Sequence, residues 1–394
     1  MPPAVSTASP SVSIMGIRGL PAAHGGFETF AAQLAPFLVE RGWKVTVYCH
    51  EEEPGHLPET EWEGVRRVHL YAGADTAANS IRFDWACVSH AVTDRPDVVL
   101  TLGYNTASFG LRLRLAGIPN VINMDGIEWS RDKWGPLAKA WLYLNDRAGC
   151  LLGNHLVADH TEIARLLAQR VSRSKITTIP YGTELIGEAD PAPLAALGVQ
   201  PGGYATLIAR AEPENSVLEA VQAFSARRRG VKLVVLGNYE PSKVAYHAKV
   251  KAAASEEVIF PGAIYDPSVV QALRVHALLY IHGHRVGGTN PSLLEAMGAG
   301  NAILAHDNRF NRGVAAGGAR YFSDATACDD QLSTLLADPA ERQRLAALNR
   351  QRAASAYHWP NVLTHYESTL LAACRSGRVS GASTVDTRLD LDRT

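Results

Sequence analysis

The run Gly287-Gly288-Thr289-Asn290-Pro291-Ser292-Leu293-Leu294-Glu295 combines a glycine-rich turn, a helix start and a single carboxylate. Pro is pre-set for the first helical position, so the Thr-Asn-Pro entry is expected to expose free backbone N–H groups at the positive end of a helix dipole. Glu295, about one turn in, can accept hydrogen bonds from neighbouring hydroxyls. This pairing suits a nucleoside diphosphate and its ribose. Two more features fit the same chemistry. Gly25-Gly26 stands just before a helical pattern, where a phosphate or sugar can approach the backbone without a Cβ in the way; a tight turn needing positive φ explains the pair equally well. Arg210, in Ala209-Arg210-Ala211-Glu212-Pro213-Glu214-Asn215, can offer a diphosphate a bidentate contact, although alone it reads as an ion pair with Glu212 or Glu214.

These residues need elements that bring them to strand ends. Short β-rich runs alternate with longer helical patterns along the chain, which predicts α/β architecture with parallel sheets covered by helices. Strands are expected at 12–17, 44–50, 65–71, 97–103, 120–125, 155–159 and 175–180, then at 204–209, 231–236, 257–260, 277–281, 302–306 and 320–322. The Pro- and Gly-containing segment 183–203 between the two series is the expected linker. Two Rossmann-like, doubly wound domains follow, 1–182 and 204–356, with a cleft at the carboxyl ends of their strands. A helix over 357–375 is expected to pack back on the first domain, and 376–394 to be a disordered tail.

At 394 residues, with 46% apolar and 20% charged residues, the chain can bury two cores. Its formal net charge of -1 gives no general pull on nucleic acid. The turn after the first strand lacks G-x-G-x-x-G, which argues against a nicotinamide or flavin enzyme. The five cysteines are widely spaced and read as reduced core residues of a cytoplasmic protein. His24, His282, His284 and His306 lie near strand ends without metal-ligand spacing, and read as packed or hydrogen-bonded. The first ten residues have no basic start or apolar core and no apolar run is long enough to span a membrane, so neither export nor integral insertion is expected. Arg112, Arg114, Arg131, Lys133, Lys139 and Arg147 are grouped around Leu and Trp, which fits either a solvated helical face or a patch touching a membrane surface.

The Gly-Gly-Phe-Glu turn (25–28), the Arg-x-x-Pro-Glu segment (210–214) and Leu-Leu-Glu-Ala-Met-Gly-Ala-Gly (293–300) together resemble retaining GT-B glycosyltransferases of family 4. Gly16–Thr29, Asp125-Gly126-Ile127-Glu128-Trp129, Pro213–Asn215 and Gly287–Pro291 resemble its bacterial rhamnosyltransferase branch, which uses dTDP-L-rhamnose. The resemblance implies sugar transfer to a saccharide hydroxyl, with a lipid-linked acceptor at the cytoplasmic membrane face and no metal or other cofactor. It implies donor contacts from Gly25, Gly26, Arg210, Asn215, Gly288, Thr289, Asn290, Ser292, Leu293 and Glu295, and acceptor contacts from His24, Phe27, Asp125, Glu128 and Trp129. Arg210, Asp125 and Glu295 would be the catalytic groups. For Glu128 a capping or ion-pair role competes, and for Trp129 ordinary packing. Two departures stand out: Gly287 replaces the first Glu of the E-x7-E pattern, and Asn215 replaces a phosphate-binding Lys. A GT-B nucleotide-sugar 2-epimerase and a non-catalytic sugar-nucleotide or glycan-binding protein are the competing readings.

Overall fold

The computed structural model describes residues 9–22, 25–55, 58–131 and 133–382, which fold as two units: residues up to Ile179 with those from Val362 onward, and Pro180–Asn361. The strands of the first unit are β1 (Ser11–Met15), β2 (Lys44–Glu51), β3 (Glu59–Trp62), β4 (Val65–Tyr71), β5 (Val98–Leu102), β6 (Asn120–Asn123), β7 (His155–Ala158) and β8 (Ile176–Thr178). Its helices are α1 (Gly26–Glu40), α2 (Ala77–Asp94), α3 (Gly110–Leu115), α4 (Pro136–Leu152) and α5 (Thr161–Leu167). They surround one sheet in the order β3-β4-β2-β1-β5-β6-β7-β8, parallel except at the edge, where β3 runs antiparallel to β4. Runs such as Val98-Val99-Leu100 are buried on both faces, as a sheet covered by helices on two sides demands.

The second unit contains β9 (Tyr204–Ile208), β10 (Lys232–Leu236), β11 (Val258–Gly262), β12 (Leu279–His282), β13 (Ile303–His306) and β14 (Ala319–Phe322). Its helices are α6 (Val217–Ser225), α7 (Ala245–Ala252), α8 (Pro267–Val275), α9 (Pro291–Gly298), α10 (Arg309–Ala315), α11 (Ala325–Ala337) and α12 (Pro339–Arg352). The sheet order is β11-β10-β9-β12-β13-β14, with neighbouring strands parallel throughout. Strand order reverses between β9 and β12, and at such a point the loops after the two strands diverge and leave room for a ligand.

Two expectations need correction, and one strand is new. The segment 183–203 is not a free linker: Leu194 and Val199 are buried with Tyr204 and Leu273, and Ile186 N–H donates to the Gly298 carbonyl, so it is part of the second unit. The charged sequence Glu-Thr-Glu-Trp forms β3, which no apolar run announced. The last helix, α13 (Trp359–Ala382), runs through residues 376–382, expected as tail, whereas 383–394 lie outside the described residues. Within the first unit, Tyr366 of α13 packs on Phe30 of α1, with ring centroids 4.5 Å apart, and accepts a hydrogen bond from Asn123. Glu367 accepts from Arg41 at 2.6 Å and from the Trp43 indole at 3.3 Å.

Candidate functional site

In the second unit, the turn after β9 and the start of α9 are tied together at one end of the sheet. Ser292, at the second position of α9, donates to the carbonyl of Ile208, the last residue of β9, at 3.2 Å. Its hydroxyl also lies 2.5 Å from that of Tyr280 on β12. Arg210 follows two residues after Ile208, on the same rim. Its side chain is 68% exposed and 4.0 Å from Glu212, a loose contact that leaves the guanidinium open to an anion. Glu295 pairs instead with Arg274, a nearly buried cation on α8, which fixes the carboxylate while leaving it partly exposed.

Several residues expected to bind through side chains or free N–H groups are otherwise engaged. Asn215 is buried and its amide donates to the Arg210 carbonyl at 2.9 Å, which shapes the Arg210 turn. Asn290 caps α9 by accepting from Ser292 N–H at 3.0 Å, and Leu293 N–H bonds the Asn290 carbonyl. The expected free donors of the first turn are therefore occupied by the cap, and the Leu293 side chain is fully buried. Thr289 is buried too, leaving Gly288 as backbone in the turn. Gly287 has φ +125°, a conformation L side chains rarely adopt, so the absent first Glu is built into the backbone. Gly283 is needed for close approach: a Cβ there would lie 2.1 Å from the Asn215 carbonyl oxygen.

A column of rings unremarked as a unit in the sequence stands at the end of β12. His282 is buried, with neither ring nitrogen hydrogen-bonded, and stacks on His284 with centroids 4.4 Å apart. Burial, followed by the neighbouring His284 and His306, holds its pKa well below the usual histidine range, so the ring is neutral. Asn308 and Asn311 both donate to the His284 carbonyl at 2.9 Å and hold the loop in place. Tyr280 stacks on His282 at 6.1 Å, so rings two residues apart at 280, 282 and 284 form one column that begins on β12 and continues past its end.

In the first unit, Gly25 is extended and caps α1, while Glu28 of α1 folds back to accept from Arg18 N–H at 3.1 Å. A Cβ on Gly25 would sit 2.9 Å from the Glu28 carboxylate, and neither Gly25 nor Gly26 has positive φ. Turn strain therefore does not explain the glycine pair, and the approach to Glu28 is to the movable end of its side chain. The Phe27 ring lies against Gly103, and His24 is outside the described residues.

Next to this turn, at the carboxyl ends of β1, β2 and β5, is a cavity of about 200 Å³. Arg18, Glu28, His50, Asp84, Asn105 and Thr106 bring polar groups to its wall. Asp84 accepts from the Thr106 hydroxyl at 2.7 Å. Burial pushes its carboxyl up to about 6, and that one hydrogen bond only partly opposes the shift. His50 Nε2 is buried without a hydrogen bond, its ring tilted against Phe83 at 5.1 Å. Sequence reading missed Asp84 and His50 because they come from different elements and belong to no motif.

Asp125 follows β6, and its pKa is raised to about 6, first by burial and then by Glu128. Glu128 is engaged with Arg131 at 2.5 Å, Lys133 at 3.5 Å and the Trp134 indole at 3.1 Å, which is the ion-pair alternative. Trp129 packs edge-on against Tyr143 at 5.4 Å, with its indole N–H buried and unpaired. Among the described residues no group of three His, Cys, Asp or Glu is arranged to hold a metal ion.

The fold matches solved structures of the GT-B class. Sucrose-phosphate synthase from Thermosynechococcus elongatus superposes with a TM-score of 0.77 at 17% identity, over 93% of this chain and 100% of its own. HepE from Anabaena, in complex with UDP and glucose, gives 0.70 at 13% identity, over 92% and 99%. An E. coli trehalose-6-phosphate protein bound with UDP-2-fluoro glucose gives 0.70 at 11% identity, over 92% and 99%. In sequence, residues 202–352 match the family "Glycosyl transferases group 1", and residues 9–184 match a domain of unknown function, DUF1972. No curated protein matches the chain. The second unit thus carries the match to the group 1 glycosyl transferase family, and the described chain has the GT-B fold.

Proposed function

We propose that the protein is a retaining glycosyltransferase that moves L-rhamnose from dTDP-L-rhamnose to a hydroxyl of a lipid-linked saccharide during synthesis of a bacterial surface polysaccharide. The observation that carries donor binding is the tether between the Ile208 carbonyl and Ser292. It holds the Arg210 turn and the start of α9, with Glu295, at one end of a sheet within the group 1 domain. The nucleotide complexes of HepE and the trehalose-6-phosphate protein, which share the fold, support a nucleotide-sugar donor. The rhamnosyl and dTDP assignments rest on the motif resemblance.

In this reading the Arg210 guanidinium grips the diphosphate and offsets its charge as it leaves, while Glu295, fixed by Arg274, accepts from the ribose hydroxyls. The bond from the sugar C1 to the β-phosphate oxygen breaks, and the acceptor oxygen bonds to C1 on the same face. The acceptor proton passes to a phosphate oxygen of the departing nucleotide. No metal ion is required, because the arginine and the helix dipole supply the positive field. The first unit binds the acceptor, with Asp125 or the Asp84–His50 cavity taking its hydroxyls.

The test is to incubate the purified protein with a panel of nucleotide sugars, with and without a lipid-linked saccharide, and read the products by mass. One deoxyhexose added to the acceptor, with dTDP released, is expected. A donor epimer formed without acceptor, or donor binding without turnover on any acceptor, would replace this reading with one of its competitors.

A further inference from the structure

We propose that the outward face of α3 and α4, together with Trp85 of α2, docks on an anionic lipid surface. This inference stands on the first unit alone and needs no assumption about the sugar chemistry.

Helix α4 buries Leu142 and Cys150 as a surface helix does, but it also buries polar groups and exposes large apolar ones. Its inward face includes Asn145 and Asp146, both buried: Asn145 accepts from Ser108 N–H at 2.9 Å, and Asp146 pairs with Arg170. Its outward face carries Leu137, Trp141, Leu144 and Leu151, spaced so that they form one stripe. Leu137 is 89% exposed, Leu151 70% and Leu144 64%, and on the neighbouring α3 Leu115 is 79% exposed. Nothing in the polar needs of a solvated helix calls for this arrangement, and apolar patches of this kind mark contact surfaces.

The charges on the patch decide between occupants. Arg112 lies over the Trp85 ring at 4.6 Å, Arg147 over Tyr143 at 4.8 Å, and Arg114 donates to the Leu151 carbonyl at 3.0 Å. These contacts join α2, α3 and α4 into one surface. The only carboxylate in α3 or α4 is the buried Asp146, so the exposed residues of both helices offer cations without acids. Leucine to insert, Trp and Tyr to sit at headgroup depth, and arginines to meet phosphates match an anionic bilayer surface. A second copy of the chain would set this cationic face against its like. Since no described helix is long and apolar enough to cross a membrane, the contact is peripheral.

The experiment is co-sedimentation of the full chain with vesicles of phosphatidylcholine containing phosphatidylglycerol, against pure phosphatidylcholine vesicles. Binding to the anionic vesicles that falls with added salt is expected. The double variant Leu137→Glu, Leu144→Glu should lose it while keeping the wild-type melting curve, since both side chains are solvent-exposed. Arg147→Gln should weaken binding about fivefold, the share of one basic residue near a charged surface. No binding to anionic vesicles, or binding unchanged in the double variant, overturns the proposal. So does a concentration-dependent dimer in light scattering that the double variant dissolves, which would assign the face to a second copy.

Discussion

Replacing Asp84 by Asn should make the protein more stable at neutral and alkaline pH while impairing its action on the acceptor. Burial raises the Asp84 pKa to about 6, whereas an aspartate in an unfolded chain titrates near 3.9. Between those values the folded state holds a proton that the unfolded state has lost. The raised pKa therefore costs nothing below about pH 4; the penalty grows as pH rises through the window and is full above about 6. Roughly two pKa units at about 1.4 kcal/mol each amount to about 3 kcal/mol. Asparagine keeps an oxygen to accept from the Thr106 hydroxyl, so the hydrogen bond survives and the penalty disappears. Urea unfolding at about pH 8 should show Asp84→Asn more stable by about 3 kcal/mol, and at about pH 4 unchanged to within about 0.5 kcal/mol. If Asp84 serves the acceptor, transfer should fall in the same variant, a stability cost kept for function. Equal or lower stability of the variant at about pH 8 would refute the reasoning, because the carboxyl would then be solvated or paired in the fold.

Arg210→Ala should leave the melting temperature nearly unchanged, because the side chain is exposed and only loosely paired. Loss of two charge-assisted bonds to the diphosphate, at about 1.5–3 kcal/mol each, should lower kcat/KM by about 10²–10⁴-fold, measured as initial rate of nucleotide release. Glu295→Ala should weaken donor binding by about tenfold or more in calorimetry, and should also destabilise, because it leaves the nearly buried Arg274 unpaired. Wild-type affinity in that variant would remove Glu295 from the donor site. Saturating chelator should leave the transfer rate intact; strict dependence on an added divalent ion would count against the proposed arginine-based charge stabilisation.

The alternation of buried strands and amphipathic helices was legible because runs such as Val98-Val99-Leu100 or Leu233-Val234-Val235 carry a continuous apolar signal. The charged edge strand β3 carries none, and only its pairing with β4 makes it a strand. Segment 183–203 reads as a linker by its prolines and glycines, yet a few apolar residues, Leu194 among them, suffice to anchor it in a core. At the site, local chemistry was legible and its use was not. The Asn-Pro helix start is present, but Asn290 and the chain itself consume the first-turn donors. Asn215 was read as a ligand contact by its place in a motif, and burial turns it inward. Asp84 and His50 meet at one cavity only because the sheet order sets β2, β1 and β5 side by side, which no local pattern encodes.

The decisive property of the second unit is where it binds a nucleoside diphosphate. A crystal structure of the protein soaked with dTDP tests this directly. The prediction is the diphosphate against the Arg210 guanidinium and the start of α9, with the ribose hydroxyls on Glu295. A nucleotide bound elsewhere, with Arg210 and Glu295 untouched, would contradict the account.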